Sequence, residues 1–271
     1  MDFKNKVVVI TGASSGIGKS CAAEFARRGA NLVLAARQYV TLCEITAELE
    51  QQFGIKALAV QVDVTKEEDC RDLIAQAINT FGAVDILVNN AGISMRALFS
   101  ELDLTVLKNL MDVNFWGTVY CTKYALPEIQ KTKGSIIGVS SIAGYRGLPG
   151  RTGYSASKFA MNGFMEALRT ELLNTGVHVM VACPGFTTSN IRVAALAKDG
   201  SSHGETSMEE GKMMSSEEVA VNIVNGVAAH KRTLVMTSQG KLTVWINKLL
   251  PALADKLVFN HFTKEKNALI K

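Results

Sequence analysis

Tyr154 and Lys158 stand four residues apart in the stretch G-Y-S-A-S-K, residues 153–158. On a helix that spacing puts both side chains on one face, with Cβ atoms about 5–6 Å apart. A free phenol titrates near ~10, and a neighbouring ammonium favours the phenolate and lowers that value, so the pair reads as a tuned proton donor. Thirteen residues before Tyr154, Ser141 closes G-S-I-I-G-V-S-S. That run reads as a buried strand whose end would bring a hydroxyl to the same spot. A Tyr and a Lys at this spacing are common, and alone they describe a helix start with a surface lysine equally well. They gain meaning only if the chain also supplies a cofactor cradle and a pocket.

The elements that would position them alternate strand and helix. Residues 7–11, V-V-V-I-T, form an apolar β-branched run that needs no polar alternation if both faces are covered. Gly12, Ser14, Ser15, Gly16, Ile17 and Gly18 follow at once, and 19–28 carry helical spacing. Strand, glycine turn and helix start are the setting in which backbone N–H groups and a helix dipole hold a diphosphate. The second strand, 31–36, ends at Arg37, where dinucleotide folds place an acidic residue for ribose hydroxyls or an arginine for a 2′-phosphate; Arg37 favours NADP(H) over NAD(H). The third, 56–62, ends at Asp63-Val64, where Asp63 either accepts from an adenine amino group or caps the next helix. The fourth, 84–88, runs into Asn89-Asn90-Ala91-Gly92, an open loop whose side chains would brace neighbouring backbone. Residues 103–131 read as one long helix, with Asn114 breaking a local rule in its middle: either functional or a buried Asn bonding nearby backbone. Strands over 134–140, 177–183 and 233–237 and helices over 154–175 and 215–230, the latter capped near Ser216, complete the pattern. The alternation predicts an α/β fold: a Rossmann-type doubly wound parallel sheet of about seven strands with helices on both faces, in one domain over 1–271. Gly12, Arg37, Asp63, Asn90, Ser141 and Pro184 all follow strand ends, where such sheets bind ligands.

Composition narrows the function classes. The 271 residues are 48% hydrophobic and 20% charged with net charge +4, an ordinary globular balance. No run of five basic residues points to nucleic acid. Five scattered cysteines and four dispersed histidines frame neither a disulfide scaffold nor a metal site. Asp2 and Lys4 interrupt any signal peptide, and no apolar run reaches the ~18 residues of a membrane span. The expectation is a cytoplasmic protein.

The motifs T-G-A-S-S-G-I-G (11–18), D-V (63–64), N-N-A-G (89–92), Asn114, S-S (140–141), Y-S-A-S-K (154–158) and P-G (184–185) together resemble the short-chain dehydrogenase/reductase family over about residues 5–237. The resemblance implies Tyr154 as general acid or base and Lys158 as the holder of nicotinamide ribose hydroxyls. It implies Ser141 as a hydrogen-bond donor to the substrate oxygen and Asn114 as the anchor of a relay water. It also implies cofactor contacts from Val64, Asn90, Ala91, Gly92, Pro184 and Gly185, and from Thr187 and Ser189 at the nicotinamide carboxamide. Burial raises a phenol's pKa, so the Lys158 charge must outweigh it if oxidation is to run near neutral pH. The implied activity interconverts a carbonyl and a secondary alcohol by hydride transfer. The rival is a nucleotide-sensing or scaffold protein on the same fold, which has less need of the full proton-transfer set.

The segment 186–214 lacks periodicity and reads as a substrate-binding loop or lid. With Met213-Met214, Met95, Phe99, Tyr145 and Leu148 as walls it suggests a partly apolar substrate: a lipid, a steroid-like compound or an aromatic ketone. Residues 240–271 add an amphipathic extension, whose 241–262 part reads as two pieces broken at Pro251. It serves core covering, a subunit interface or peripheral membrane contact, with packing or oligomerisation preferred. The resemblance implies a homodimer or homotetramer through the 103–131 and 154–175 helices.

Overall fold

β1 (Val7–Thr11) is buried along its whole length. Successive side chains of a strand point to opposite faces. Val8 and Ile10 accordingly pack with Cys21, Phe25 and Ile223 on one side of the sheet, and Val7 and Val9 with Leu73, Ile129 and Leu168 on the other. Two covered faces are the reason for an unbroken apolar run. The computed structural model describes residues 2–188, 191–202, 204, 213–264 and 268–270.

Six further strands extend the sheet: β2 (Asn31–Ala36), β3 (Ala57–Gln61), β4 (Ile86–Asn89), β5 (Ser135–Val139), β6 (His178–Cys183) and β7 (Thr233–Val235). They run in the order β3-β2-β1-β4-β5-β6-β7, every neighbouring pair parallel. The chain moves outward from β1 to β3, then returns to lay β4 on the other side of β1. That reversal opens a crevice at the carboxyl ends of β1 and β4. Helices α1 (Gly16–Arg27), α2 (Tyr39–Phe53) and α7 (Ser216–Ala228) cover one face; α3 (Glu67–Phe81), α5 (Gly117–Thr132) and α6 (Thr152–Glu171) cover the other. The doubly wound sheet expected from the alternation is present.

The single helix expected over 103–131 is three pieces. α4 (Leu104–Met111) is capped by Asp103, whose carboxylate accepts from the Thr105 N–H. A π-helical turn follows over Asp112–Trp116, and α5 continues from Gly117. The Thr118 hydroxyl donates to the Asn114 carbonyl within the wide turn at 3.0 Å. Gly117 then lies against Val64, where a Cβ would stand 2.8 Å from Val64 Cγ2. Such turns concentrate at functional sites, and this one carries Asn114.

α7 lies within the 215–230 expected, from Ser216 to Ala228. Ser215, not Ser216, is the cap, in a capping box with Glu218. The Ser216 hydroxyl instead donates to the Thr188 carbonyl, and Met214 pairs with Phe186 and Thr188 across the base of the 186–214 segment. Farther along, Leu196 exchanges backbone bonds with Ser94 and Arg96. The described parts of the segment are therefore fastened to the loop after β4.

The C-terminal extension forms α8 (Ser238–Leu249) and α9 (Pro251–Phe262), divided at Pro251 as expected. Only Gly240, Ala254 and Phe262 in them are buried, while Leu242, Trp245, Leu249, Leu250, Leu253, Leu257 and Phe259 are exposed. Among the described residues, no helix is long and apolar enough to cross a membrane.

Candidate active site

Gly12 and Gly16 adopt φ of +65° and +51°, a region that side chains disfavour. At Gly12 a Cβ would also lie 2.9 Å from Ala91 Cα. Gly18 serves a different purpose: a Cβ there would be 2.2 Å from the Gly12 carbonyl oxygen. Gly18 therefore packs helix on turn and does not line the cavity described below. Asn90 braces the same turn, its Nδ2 donating to the Thr11 and Gly12 carbonyls at 2.9 and 3.2 Å. At the start of α1, Ser15 makes no side-chain cap and the first turn holds no acid. Its N–H groups and dipole are thus open to an anion, as a diphosphate requires.

Arg37 and Asp63 follow β2 and β3 at the far end of the same crevice. Asp63 is not a helix cap: α3 has Lys66 in that position, without a side-chain bond. The Asp63 carboxylate accepts from the Thr65 N–H at 3.0 Å and its hydroxyl at 2.8 Å. Burial raises its pKa, but the Thr65 bonds and the charges of Arg37 and Lys66 outweigh that and hold it below the usual carboxylate range. Ser14 donates to Gln38, the residue beside Arg37, at 3.0 Å. Ser14, Ser15, Arg37 and Gln38 all face the crevice, a polar and basic corner suited to a sugar phosphate.

The catalytic candidates converge on the carboxyl side of β5. Ser141 follows β5 and starts a short 3-10 turn over Ile142–Gly144, its Oγ accepting from the Ala143 N–H. Tyr154 sits in the first turn of α6, beside Gly153, whose missing side chain lets the helix start lie against Leu110. The Tyr154 ring is 9% exposed and shares a small apolar cluster with Met95, Val106 and Leu110. Lys158 is 3% exposed. Its Nζ donates to the Val139 carbonyl at 2.9 Å and lies 5.9 Å from the centre of the Tyr154 ring.

The electrostatics differ from the expectation that Lys158 draws the phenol's pKa down. Burial pushes Tyr154 above its ordinary value, although a bond with Ser141 and the charge of Arg151 oppose it. Burial also pushes Lys158 down, to about 8. The ammonium's bond is spent on the Val139 carbonyl, and the desolvation that weakens it also disfavours the phenolate. Arg151, just before α6, is a cation that the Tyr-Lys spacing does not reveal; its place depends on the turn that starts the helix.

Asn114 is fully buried and stands behind the cavity wall. Its Oδ1 accepts from the Ile93 N–H at 2.8 Å, and its Nδ2 donates to the Ile93 carbonyl and the Ser157 hydroxyl at 3.0 and 2.9 Å. Of the two readings of this residue, its side chain follows the bracing one. It ties the loop after β4 to α6 one residue from Lys158.

A cavity of about 820 Å³ joins these parts. Gly12, Ser14, Ser15, Gly16, Ile17, Arg37, Asp63, Val64, Asn90, Ala91, Gly92, Pro184, Gly185 and Thr187 line it together with Ser141, Tyr154 and Lys158. Ser189 lies outside the described residues. Of the walls expected from sequence, only Leu148 reaches the cavity. Met95 is buried behind Tyr154, Phe99 is 59% exposed, and Tyr145 and Met214 pack against the two main cores. The apolar walls are instead Ile142, Leu196 and the inner residues of α8 and α9: Leu242, Ile246, Leu257, Val258 and Phe262. Those helices lie about a hundred residues beyond Ser141, and an amphipathic pattern does not say what it faces.

Comparison with known proteins agrees with this arrangement. The sequence model for the short chain dehydrogenase family matches residues 6–200. The mouse dehydrogenase/reductase SDR family member 7B is 34% identical over 98% of this chain and 84% of its own. The Arabidopsis thaliana 11-beta-hydroxysteroid dehydrogenase 1A is 38% identical over 92% and 73%. Among solved structures, a short-chain dehydrogenase/reductase from Burkholderia phymatum in complex with NAD shares the fold, with TM-score 0.82 at 23% identity over 93% of this chain and 96% of its own. An alcohol dehydrogenase from Thermococcus sibiricus, complexed with 5-hydroxy-NADP, superposes with TM-score 0.75 at 27% identity over 86% and 96%. The chain belongs to the short-chain dehydrogenase/reductase family, as an oxidoreductase of CH–OH groups that uses a nicotinamide cofactor.

Proposed function

We propose that this protein is an NADP(H)-dependent carbonyl reductase, with Tyr154 as the acid and a partly apolar ketone as substrate. One observation carries the reading: a single cavity is lined by the uncapped α1 start, by Arg37 and by Ser141, Tyr154 and Lys158. The α1 N–H groups hold the diphosphate and Arg37 a 2′-phosphate. Lys158 holds ribose hydroxyls, and Thr187 and Ser189 hold the carboxamide. When bound, the reduced nicotinamide supplies a hydride for the carbonyl carbon. Ser141 and Tyr154 donate hydrogen bonds to the oxygen as its charge grows, and Tyr154 passes its proton across. Its raised pKa keeps the phenol protonated at neutral pH, which favours reduction. The relatives named for hydroxysteroid dehydrogenation and the apolar annex built by α8 and α9 support a steroid-sized or similar apolar ketone.

NADPH consumption across ketones of graded size tests the activity; a protein that binds NADPH and reduces none of them is a sensor or scaffold instead. The same assay tests the cofactor reading. Arg37→Ala should raise the KM for NADPH by about ten-fold or more and leave NADH nearly unchanged, since a guanidinium–phosphate pair is a strong charge-assisted contact. Equal changes in both would end the NADP assignment.

The exposed Trp116 and Phe159, beside the packed Phe115–Phe164 pair, support a subunit contact through α5 and α6. The outer apolar residues of α8 and α9 form a second exposed surface. A second copy of the chain is its first reading and a membrane surface its second. Sedimentation velocity should show a dimer or tetramer, and pelleting with liposomes of mixed acidic lipid would instead give that surface to a membrane.

A further inference from the structure

Arg146 lies two residues beyond the turn that begins at Ser141, and it reaches both helices of the C-terminal hairpin. Its Nη1 donates to Asn247 Oδ1 on α8 at 3.0 Å, and its Nη2 to Asp255 Oδ1 on α9 at 2.6 Å. Asn247 answers with a bond from its Nδ2 to the Tyr145 carbonyl at 2.9 Å. Gly240, at the start of α8, rests on Ile142, where a Cβ would come within 2.7 Å of Ile142 Cδ1. The hairpin buries few side chains of its own, so apolar packing does little to fix its position. A guanidinium suits this task because its planar fork serves two acceptors in fixed directions.

The hairpin's inner residues Leu242, Ile246, Leu257 and Val258 face the cavity that Ser141 and Tyr154 also line. Whatever holds the hairpin therefore holds one wall of the substrate space. We propose that Arg146 is a positioning residue that clamps the α8–α9 hairpin against the Ser141 turn and so sets which ketones the cavity accepts. This rests on the carbonyl-reductase reading for its kinetic consequence, but not for the clamp itself. Asp255 is largely exposed, so its pair with Arg146 is screened by solvent and contributes less than the bond to Asn247. The clamp thus biases the hairpin without being needed for the fold.

Hydrogen exchange of the full chain with NADPH present tests the clamp without reference to turnover. In Arg146→Ala, amides of 238–262 should exchange about ten-fold faster, the scale expected when bonds to a charged group are lost, while those of β1 and β4 stay unchanged. Kinetics with a decalone and with cyclohexanone test the consequence. The KM for the bulky ketone should rise about ten-fold with kcat little altered, and the KM for the small one should stay within about two-fold. Arg146→Lys, which keeps the charge but loses the fork, should recover part of the protection. Asp255→Ala, a surface change that the fold tolerates, should shift exchange in the same direction by less, and it keeps the test standing if Arg146→Ala does not fold. Unchanged protection of 238–262 in both Arg146→Ala and Asp255→Ala would overturn the clamp, and equal KM changes for both ketones would overturn its role in selecting them. If the unsubstituted protein reduces neither ketone, the reductase reading fails, and the exchange result still decides the clamp.

Discussion

Tyr154→Phe is expected to bind NADPH as the unsubstituted protein does and to reduce ketones at least about a hundred-fold more slowly, the scale of losing a positioned general acid. The change deletes one oxygen from a ring that packs with Met95, Val106 and Leu110, so the helix start and the cofactor cradle keep their shape. NADPH fluorescence titration and steady-state rates separate the two effects. The pH dependence follows from the direction of the phenol's shift. Burial raises its pKa more than the Ser141 bond and the Arg151 charge lower it. The phenol that reduction requires is therefore fully present at neutral pH and is lost only as pH rises past the usual tyrosine value of ~10. Alcohol oxidation requires the phenolate and should climb throughout the alkaline range. Retained turnover in Tyr154→Phe would remove this residue from the proton path. An oxidation rate already level at neutral pH would mean that bound cofactor reverses the shift.

Lys158→Met should cost about a hundred-fold in turnover and at least about ten-fold in NADPH affinity, because in the proposed mechanism this ammonium holds the nicotinamide ribose hydroxyls beside Tyr154. Stability should respond differently. Lys158 is 3% exposed, and its ammonium donates to the Val139 carbonyl. Exchanging a buried charge for an apolar chain of similar length is often neutral or stabilising. Activity should therefore collapse while the melting midpoint holds or rises. A parallel loss of both would make Lys158 a structural residue. In the unsubstituted protein the ammonium loses its proton as pH rises through about 8. NADPH affinity should then weaken above that pH and hold below it.

Much of this architecture can be read without coordinates, for local reasons. V-V-V-I-T followed by glycines at 12, 16 and 18 has few structural solutions, and the spacing of Tyr154 and Lys158 fixes their shared helix face through geometry alone. What escapes depends on distant partners. Asp63 looks like a cap because it precedes a helix, yet its carboxylate turns back to Thr65. The 103–131 stretch keeps its apolar period on either side of a wide turn, so periodicity cannot mark the break at Asp112–Trp116. The expected walls Met95, Phe99 and Tyr145 fail because proximity along the chain to Ser141 or Gly92 does not tell which way a side chain faces. The real wall comes from α8 and α9, whose apolar residues promised burial somewhere but named no partner. The direction of the Tyr154 shift also needed three dimensions, since the depth of burial decides it against the nearest positive charges.

The π-helical turn at Asp112–Trp116 lets this helix carry an extra residue without changing which faces are buried. A π turn holds one residue more than the α-helix it interrupts. Five residues at the wider turn sweep nearly the angle that four sweep at about 100° each in an α-helix, so the extra residue is absorbed and the helices on either side keep their phase. Val106 and Leu110 therefore pack with Tyr154 while Cys121 and Ile129 stay in the core, on opposite sides of an added residue. Deleting one of the five should leave those faces in place and remove the wide turn that seats Asn114 between Ile93 and Ser157.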